Sequence, residues 1–229
     1  VSKQWYDYLH GHLEFVKQLK SDIRPIFTYT SDFDQNGILY WIGTNGKTAS
    51  NYTNPCSTGL ISGSNRVLFL NGLKRIDLII LVNCSDNNYS SQQLSDLVSH
   101  TLSIDDQDDS EDTIRSFSWI VIDLGLLITP THFTLRHATG GSNGWTKTVI
   151  FQISKDAVQF TPCDTSVVNE MNSSTATWTV KNLFENSSGF RYIRIHQKSS
   201  RNPIGISGFE VYGQVHSAID IRSSKIDFL

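Results

Sequence analysis

The sequence predicts an all-β protein, a two-layered jelly-roll sandwich preceded by one helix, and three observations carry that reading. From Pro25 onward, short runs of β-branched and aromatic residues alternate with breaks of Gly, Asn, Ser and Pro, the spacing of many short strands joined by turns. Several runs place apolar residues at every second position: Ile193 and Ile195 in one, Phe209 and Val211 in another. That is the period of a strand with one buried face. Ahead of them, Trp5, Tyr8, Leu9, Leu13, Val16 and Leu19 recur three to four apart between Lys3 and Lys20, one face of an amphipathic helix.

Each element follows from its residues. The helix stops at Arg24-Pro25, because the residue before a proline is pushed out of the α region. Strands are predicted over residues 26–30, 39–42, 75–82, 119–124, 131–136, 148–154, 175–180, 192–197 and 208–215. Thr129-Pro130 suits the start of a strand, where the missing N–H does least harm. The most apolar short stretch, residues 76–82, is interrupted by Asp77 and falls short of the roughly 18 residues that cross a bilayer, so it reads as a buried strand rather than a membrane span. Residues 86–115 interrupt the series with polar sequence and an acidic block at Asp105, Asp106, Asp108, Asp109, Glu111 and Asp112. A core cannot absorb these charges, so the segment is a solvated loop insertion or an acidic docking segment, with a short helix between Gln92 and Leu102. The expected organisation is therefore a helix over residues 1–24, a sandwich over 25–215 holding the 86–115 insertion, and a tail over 216–229 that leads to another domain or docks on a partner.

Composition narrows the function. At 229 residues, the chain is long enough for one substantial core. Charged residues make up 18% and the formal net charge is -3, so no strong field points to nucleic acid or an anionic membrane. Cys56, Cys84 and Cys163 are odd in number and far apart, so they cannot all pair within the chain. Glycan acceptor triplets begin at Asn51, Asn83, Asn88, Asn172 and Asn186, in a chain rich enough in Asn, Ser and Thr to produce them by chance.

Catalytic patterns fail on inspection. Gly46-Lys47-Thr48 imitates a phosphate loop, but the first glycine of that motif would fall at Trp41 and no helical pattern follows. Ser62 and Ser207 neighbour glycines without the turn that exposes a nucleophile. The seven histidines show neither the paired helical spacing of a zinc protease nor cysteine partners at zinc spacing. The acidic block lacks the glycine that bends a calcium loop. Asp123 is a lone carboxylate and reads as framework, while Trp119 and Trp178 read as core anchors. No catalytic residue, cofactor or metal is implied, and the chain is not expected to be an enzyme.

The ordered series Ser118-Trp119-Ile120-Val121-Ile122-Asp123-Leu124-Gly125, then residues 131–137, 149–156, 190–196 and 206–215, resembles the discoidin, or coagulation-factor C-type, domains of the galactose-binding-like β-sandwiches. The resemblance runs from about Phe33 to Val215. Residues 33–46, with Tyr40-Trp41-Ile42-Gly43 at their centre, look most like the intracellular versions in HECT-type ubiquitin ligases and BTB-domain proteins. Secreted discoidin domains usually clamp the sandwich ends with a disulfide, and no cysteine lies near Phe27 or Gly213, which favours a reducing, cytoplasmic location. Some of these domains hold a structural calcium in an early loop, for which Asp34, Asn36 or Asn45 would be the oxygen donors; no metal site is assigned.

In discoidin-like domains the ligand face is one end of the sandwich, and recognition residues concentrate on loops held by a rigid scaffold. Three loops qualify: residues 44–52, 137–147 and 197–203. They supply the predicted partner-binding residues Asn45, Lys47, Tyr52, Trp145, Lys147, Arg201 and Asn202, several of them interface anchor types. Trp145 either contacts the partner or packs beneath its own loop. The expected function is a protein-interaction module that recognises a protein or peptide segment as substrate or subunit in a ubiquitin-ligase-like assembly. The alternative is a secreted or surface lectin-like domain binding carbohydrate, which the glycan acceptor triplets favour and the absent clamp does not. A third class is a structural subunit with no ligand of its own.

Overall fold

The computed structural model describes residues 14–20, 24–54, 61–63, 80–84, 98, 100, 119–137, 149–167, 175–181, 187–197 and 206–218. They form helices α1 (Glu14–Lys20) and α2 (Ile38–Gly43) and strands β1 (Ile26–Phe27), β2 (Ile61–Gly63), β3 (Ile80–Cys84), β4 (Trp119–His137), β5 (Val149–Ser154), β6 (Thr161–Pro162), β7 (Thr165–Val167), β8 (Thr175–Val180), β9 (Phe190–Gln197) and β10 (Ile206–Ala218). All strand pairs are antiparallel except β2 with β3. The predicted all-β sandwich is the fold observed.

Strand β4 builds both layers. Its first residues, up to Asp123, lie between β3 and β9, with β5 and β6 beyond β9. Its later residues lie between β10 and β8, with β1 outside β10 and β7 outside β8. The change of partners happens at Asp123-Leu124-Gly125. Gly125 takes a left-handed φ of 63°, and its N–H donates to Asp123 Oδ1 at 2.9 Å. Arg191 grips the same carboxylate with two nitrogens at 2.7 and 2.8 Å, and the β9 register jumps between Asp123 and Ile128. Asp123 is thus framework, as expected: it holds the bend.

Between the layers the core is apolar. Phe133 stacks on Phe151 at 4.5 Å, Phe151 meets Trp178 at 5.2 Å, and Phe209 lies 6.2 Å from Phe133. Ile120, Ile122, Ile153, Ile193, Ile195 and Val211 are fully buried beside them. The predicted inward faces of β9 and β10 are correct, and Trp178 is buried; Trp119 is only half-buried.

Three expectations need correction. Residues 39–42 are helix α2, not a strand. A six-residue run that is almost wholly buried carries no period to separate strand from helix. The deciding group is Glu210, which is 171 residues away along the chain and accepts the N–H of Leu39 at 2.8 Å and of Tyr40 at 3.0 Å; these are donors that a helix start leaves unpaired. Next, residues 119–124 and 131–136 are one strand. Pro130 does not start it but sits opposite Gly213 at a break in register, where a proline is tolerated. Gly213 is required there: φ is 146° and a Cβ would lie 2.1 Å from Thr129 O. Finally, α1 buries Phe15, which the predicted stripe left out, while Leu19 of that stripe packs partly against the core. Residues before Glu14 lie outside the described set, as does nearly all of 86–115.

Strand β1 is shorter than predicted, β10 runs on to Ala218, and the short β2, β6 and β7 were not foreseen. Phe27 pairs directly with Gly213, and Val215 N–H donates to Pro25 O at 3.0 Å, so backbone hydrogen bonds close the sandwich where the sequence lacks a disulfide clamp.

Candidate binding surface at one end of the sandwich

Strand ends locate the predicted loops. His137 at the end of β4 pairs with Ile206 at the start of β10, and Gln197 at the end of β9 pairs with Val149 at the start of β5. These strand ends bracket the chain segments between 137 and 149 and between 197 and 206. Trp145, Lys147, Arg201 and Asn202 belong to these segments and lie outside the described residues.

The loop after α2 is described in full. Asn45, Gly46 and Lys47 take φ values of 49°, 76° and 64° in succession, a left-handed turn pinned by Gly46 N–H to Trp41 O at 2.8 Å and Ala49 N–H to Thr44 O at 3.0 Å. Asn45 Oδ1 accepts the N–H of Glu14 at 2.8 Å. Gln18 donates to Gly46 O at 2.9 Å and accepts from Trp41 Nε1 at 3.0 Å, and Phe15 packs edge-on to Trp41 at 5.3 Å. Helix α1 thus braces this loop, and Asn45 serves that brace. Lys47 is exposed, its Nζ reaching Asn36 Oδ1 at 3.3 Å. Tyr52 is half-buried; its hydroxyl donates to Val98 O, and its ring covers Gly43, where a Cβ would come within 2.2 Å.

Around Tyr52 the fold assembles residues that the sequence did not single out as a group. Tyr40 and Tyr52 stack at 5.9 Å, and His100 lies 4.7 Å from Tyr40 and 5.3 Å from Tyr52. The Arg136 guanidinium sits 4.8 Å over Phe33 and donates to Ser207 O at 3.1 Å and His100 O at 3.4 Å. Burial pushes the His100 imidazole below its ordinary pKa, and Arg136 adds to that, so His100 is neutral at physiological pH. Burial likewise lowers the Arg136 pKa from its ordinary value. Ring faces gather at this end, with the Arg136 and Lys47 cations and the Asp34 carboxylate among them.

The oxygens considered for calcium are spent within the chain. Burial pushes the Asp34 carboxyl up, but donors more than offset it and hold it below its ordinary value: the Thr30 hydroxyl at 2.5 Å and the N–H groups of Asn36, Thr30 and Ser31 at 2.7, 2.9 and 3.2 Å. Asn36 accepts from Lys47 and Asn45 from Glu14. Among the described residues no group of three or more His, Cys, Asp or Glu is placed to hold a metal ion. The described Cys163 is buried, with its thiol pushed up to about 12 by desolvation, which makes it a poor nucleophile. Among the same residues no helix is long and apolar enough to cross a membrane.

Comparison with known proteins adds sequence and structure relatives. A family model described as the F5/8 type C domain matches residues 81–209. E3 ubiquitin-protein ligase Ufd4 of Drosophila melanogaster is 31% identical over 230 residues, a match that takes in 96% of this chain and 8% of that protein. E3 ubiquitin-protein ligase hecd-1 of Caenorhabditis elegans is 30% identical over 239 residues, covering 99% of this chain and 8% of hecd-1. The chain therefore spans under a tenth of the length of these relatives. Among solved structures, an F5/8 type C domain from Bacteroides fragilis superimposes with a TM-score of 0.42 at 13% identity, over 58% of this chain and 90% of that one.

Proposed function

The chain belongs to the F5/8 type C, or discoidin, domain family, and from that premise we propose that it is a non-enzymatic recognition module, holding a substrate or subunit for a ubiquitin-ligase-like protein or assembly in the cytoplasm. The observation that carries this reading is the match of almost the whole chain to two ubiquitin ligases of which it represents only 8%. A unit of that share, with a sandwich and a loop after α2 that helix α1 braces, is suited to holding a partner while ubiquitin transfer proceeds elsewhere. Lys47 and Tyr52 belong to the proposed surface together with Trp145, Lys147, Arg201 and Asn202, and Asn45 contributes by fixing its loop.

The test is capture of a protein partner by the chain, compared with a Trp145→Ala, Arg201→Ala double variant whose unfolding curve matches the wild type. Loss of capture is expected; undiminished capture overturns the assignment of the loop end. The carbohydrate-binding alternative has one observation in its favour, the exposure of the acceptor Asn51 in the loop after α2. Glycans on Asn51 or Asn172 in the native protein, read by mass spectrometry, would replace the cytoplasmic reading with that one.

A further inference from the structure

Where β4, β9 and β5 run side by side, Ile120, Ile122, Ile193, Ile195, Phe151 and Ile153 point into the core, so the residues between them point outward. Register sets these in two cross-strand rows: Trp119, His196 and Ile150, then Val121, Arg194 and Gln152. All six are half-exposed. A sheet surface that faces water ordinarily turns polar residues outward; here Trp119, Val121 and Ile150 occupy it, as on a contact surface. Arg194 stands on the middle strand of the three. Its guanidinium lies 4.0 Å over the Phe160 ring, and its Nε donates to Gln152 Oε1 at 2.7 Å. These contacts hold the guanidinium in place without neutralising it. Carboxylates of the flanking strands and turns are committed elsewhere: Asp123 to Arg191, Asp156 to the N–H groups of Val158 and Gln159 and the Ser154 hydroxyl, and Asp164 to Lys181 at 3.8 Å. No ion pair reaches Arg194 among the described residues.

We propose that this sheet face docks a protein segment through a carboxylate that meets the Arg194 guanidinium, with an apolar side chain beside it covering Val121 and Trp119. A cation in the middle of an apolar surface selects for its opposite. An uncharged partner would cover the guanidinium without pairing it, which is costly, whereas a carboxylate forms a two-pronged, charge-assisted pair with it. Arg and Trp near the centre of a contact are also the residue types that dominate interface energies. The loop after α2 is seated on the other layer through Glu210, so this inference does not rest on the reading of the loop end.

The experiment is an NMR titration of the isotopically labelled 229-residue chain with a peptide carrying Leu-Glu-Leu in a Gly/Ser background, against its Leu-Gln-Leu counterpart. The acidic peptide is expected to bind about tenfold more tightly, with amide shifts gathered on residues 119–121, 150–152 and 194–196. Arg194→Gln should abolish that advantage. Arg194→Lys, which keeps the charge but not the two-pronged geometry, should retain only part of it. Unfolding curves that match the wild type assign both losses to the contact rather than to the fold. Equal binding of the two peptides, an advantage undiminished in Arg194→Gln, or shifts gathered on residues 44–52 instead, overturns the inference.

Discussion

The two faces of the β8–β4–β10 layer are both shut off from water, by opposite means. The inner face carries Phe133, Leu135, Ala176, Trp178, Phe209 and Val211, and meets the other layer through dispersion and apolar burial, which are non-directional. The outer face carries Thr134, Thr177, Glu210 and Tyr212, also buried, and is covered by residues 24–54. There, beside the Tyr29 ring packed on Tyr212 and His132, specific polar matches recur: Thr134 with Thr177 at 2.7 Å, Thr177 with Asp32 at 2.6 Å, Glu210 with the start of α2, and the Tyr212 hydroxyl with Ser31 O at 3.3 Å. The inner face sets how stable the sandwich is. The outer face sets where the segment that carries Phe33 and Lys47 must lie, because a buried polar group without its partner is costly.

Three measurements sharpen this contrast, the largest first. Phe151→Ala removes a ring stacked between Phe133 and Trp178 and should lose about 3–5 kcal/mol in denaturant unfolding, without altering how residues 24–54 seat. The second concerns Glu210. Burial pushes its carboxyl up to about 8 from an ordinary 4.5, against the pull of the N–H donors from Val211, Leu39 and Tyr40. Between those values the folded state holds a proton that the unfolded state has released, so this group's stabilisation is complete below pH 4.5 and lost as pH rises through about 8. Wild type should therefore lose up to about 1.4 kcal/mol per pH unit across that window relative to Glu210→Gln. Parallel curves for the two proteins would show that Glu210 is ionised throughout. The smallest effect is expected for Thr177→Val, which keeps shape but deletes the hydroxyl between Thr134 and Asp32; a loss of about 1–2 kcal/mol, with faster amide exchange confined to residues 29–36, would mark the outer face as the seat of that segment.

Legibility in the sequence divides along the same line. Alternation along residues 193–195 and 209–211 exposes the inner face directly, because an apolar layer leaves its period in the chain. Glu210, between Phe209 and Val211, reads as an ordinary outward residue; nothing local says that a helix start 171 residues away will use it, so residues 39–42 read locally as a strand. The candidate surface was partly legible. Loop 44–52 stands out by composition, but Asn45 turns out to brace α1. Phe33, Tyr40, His100 and Arg136 come from separate segments and become neighbours only through the fold. The left-handed backbone of Phe33 and Lys47 leaves no trace in composition, since neither residue type advertises it.

The nineteen residues of β4 have a consequence for synthesis. This strand hydrogen-bonds to β3, made before it, and to β8, β9 and β10, made after it, the last pairing Leu126 with Ala218. No half of the domain can close alone on the ribosome, so a long apolar ribbon must wait for its final neighbour. A nascent chain stalled before β10 should recruit chaperones strongly, and release should coincide with the emergence of residues 206–218.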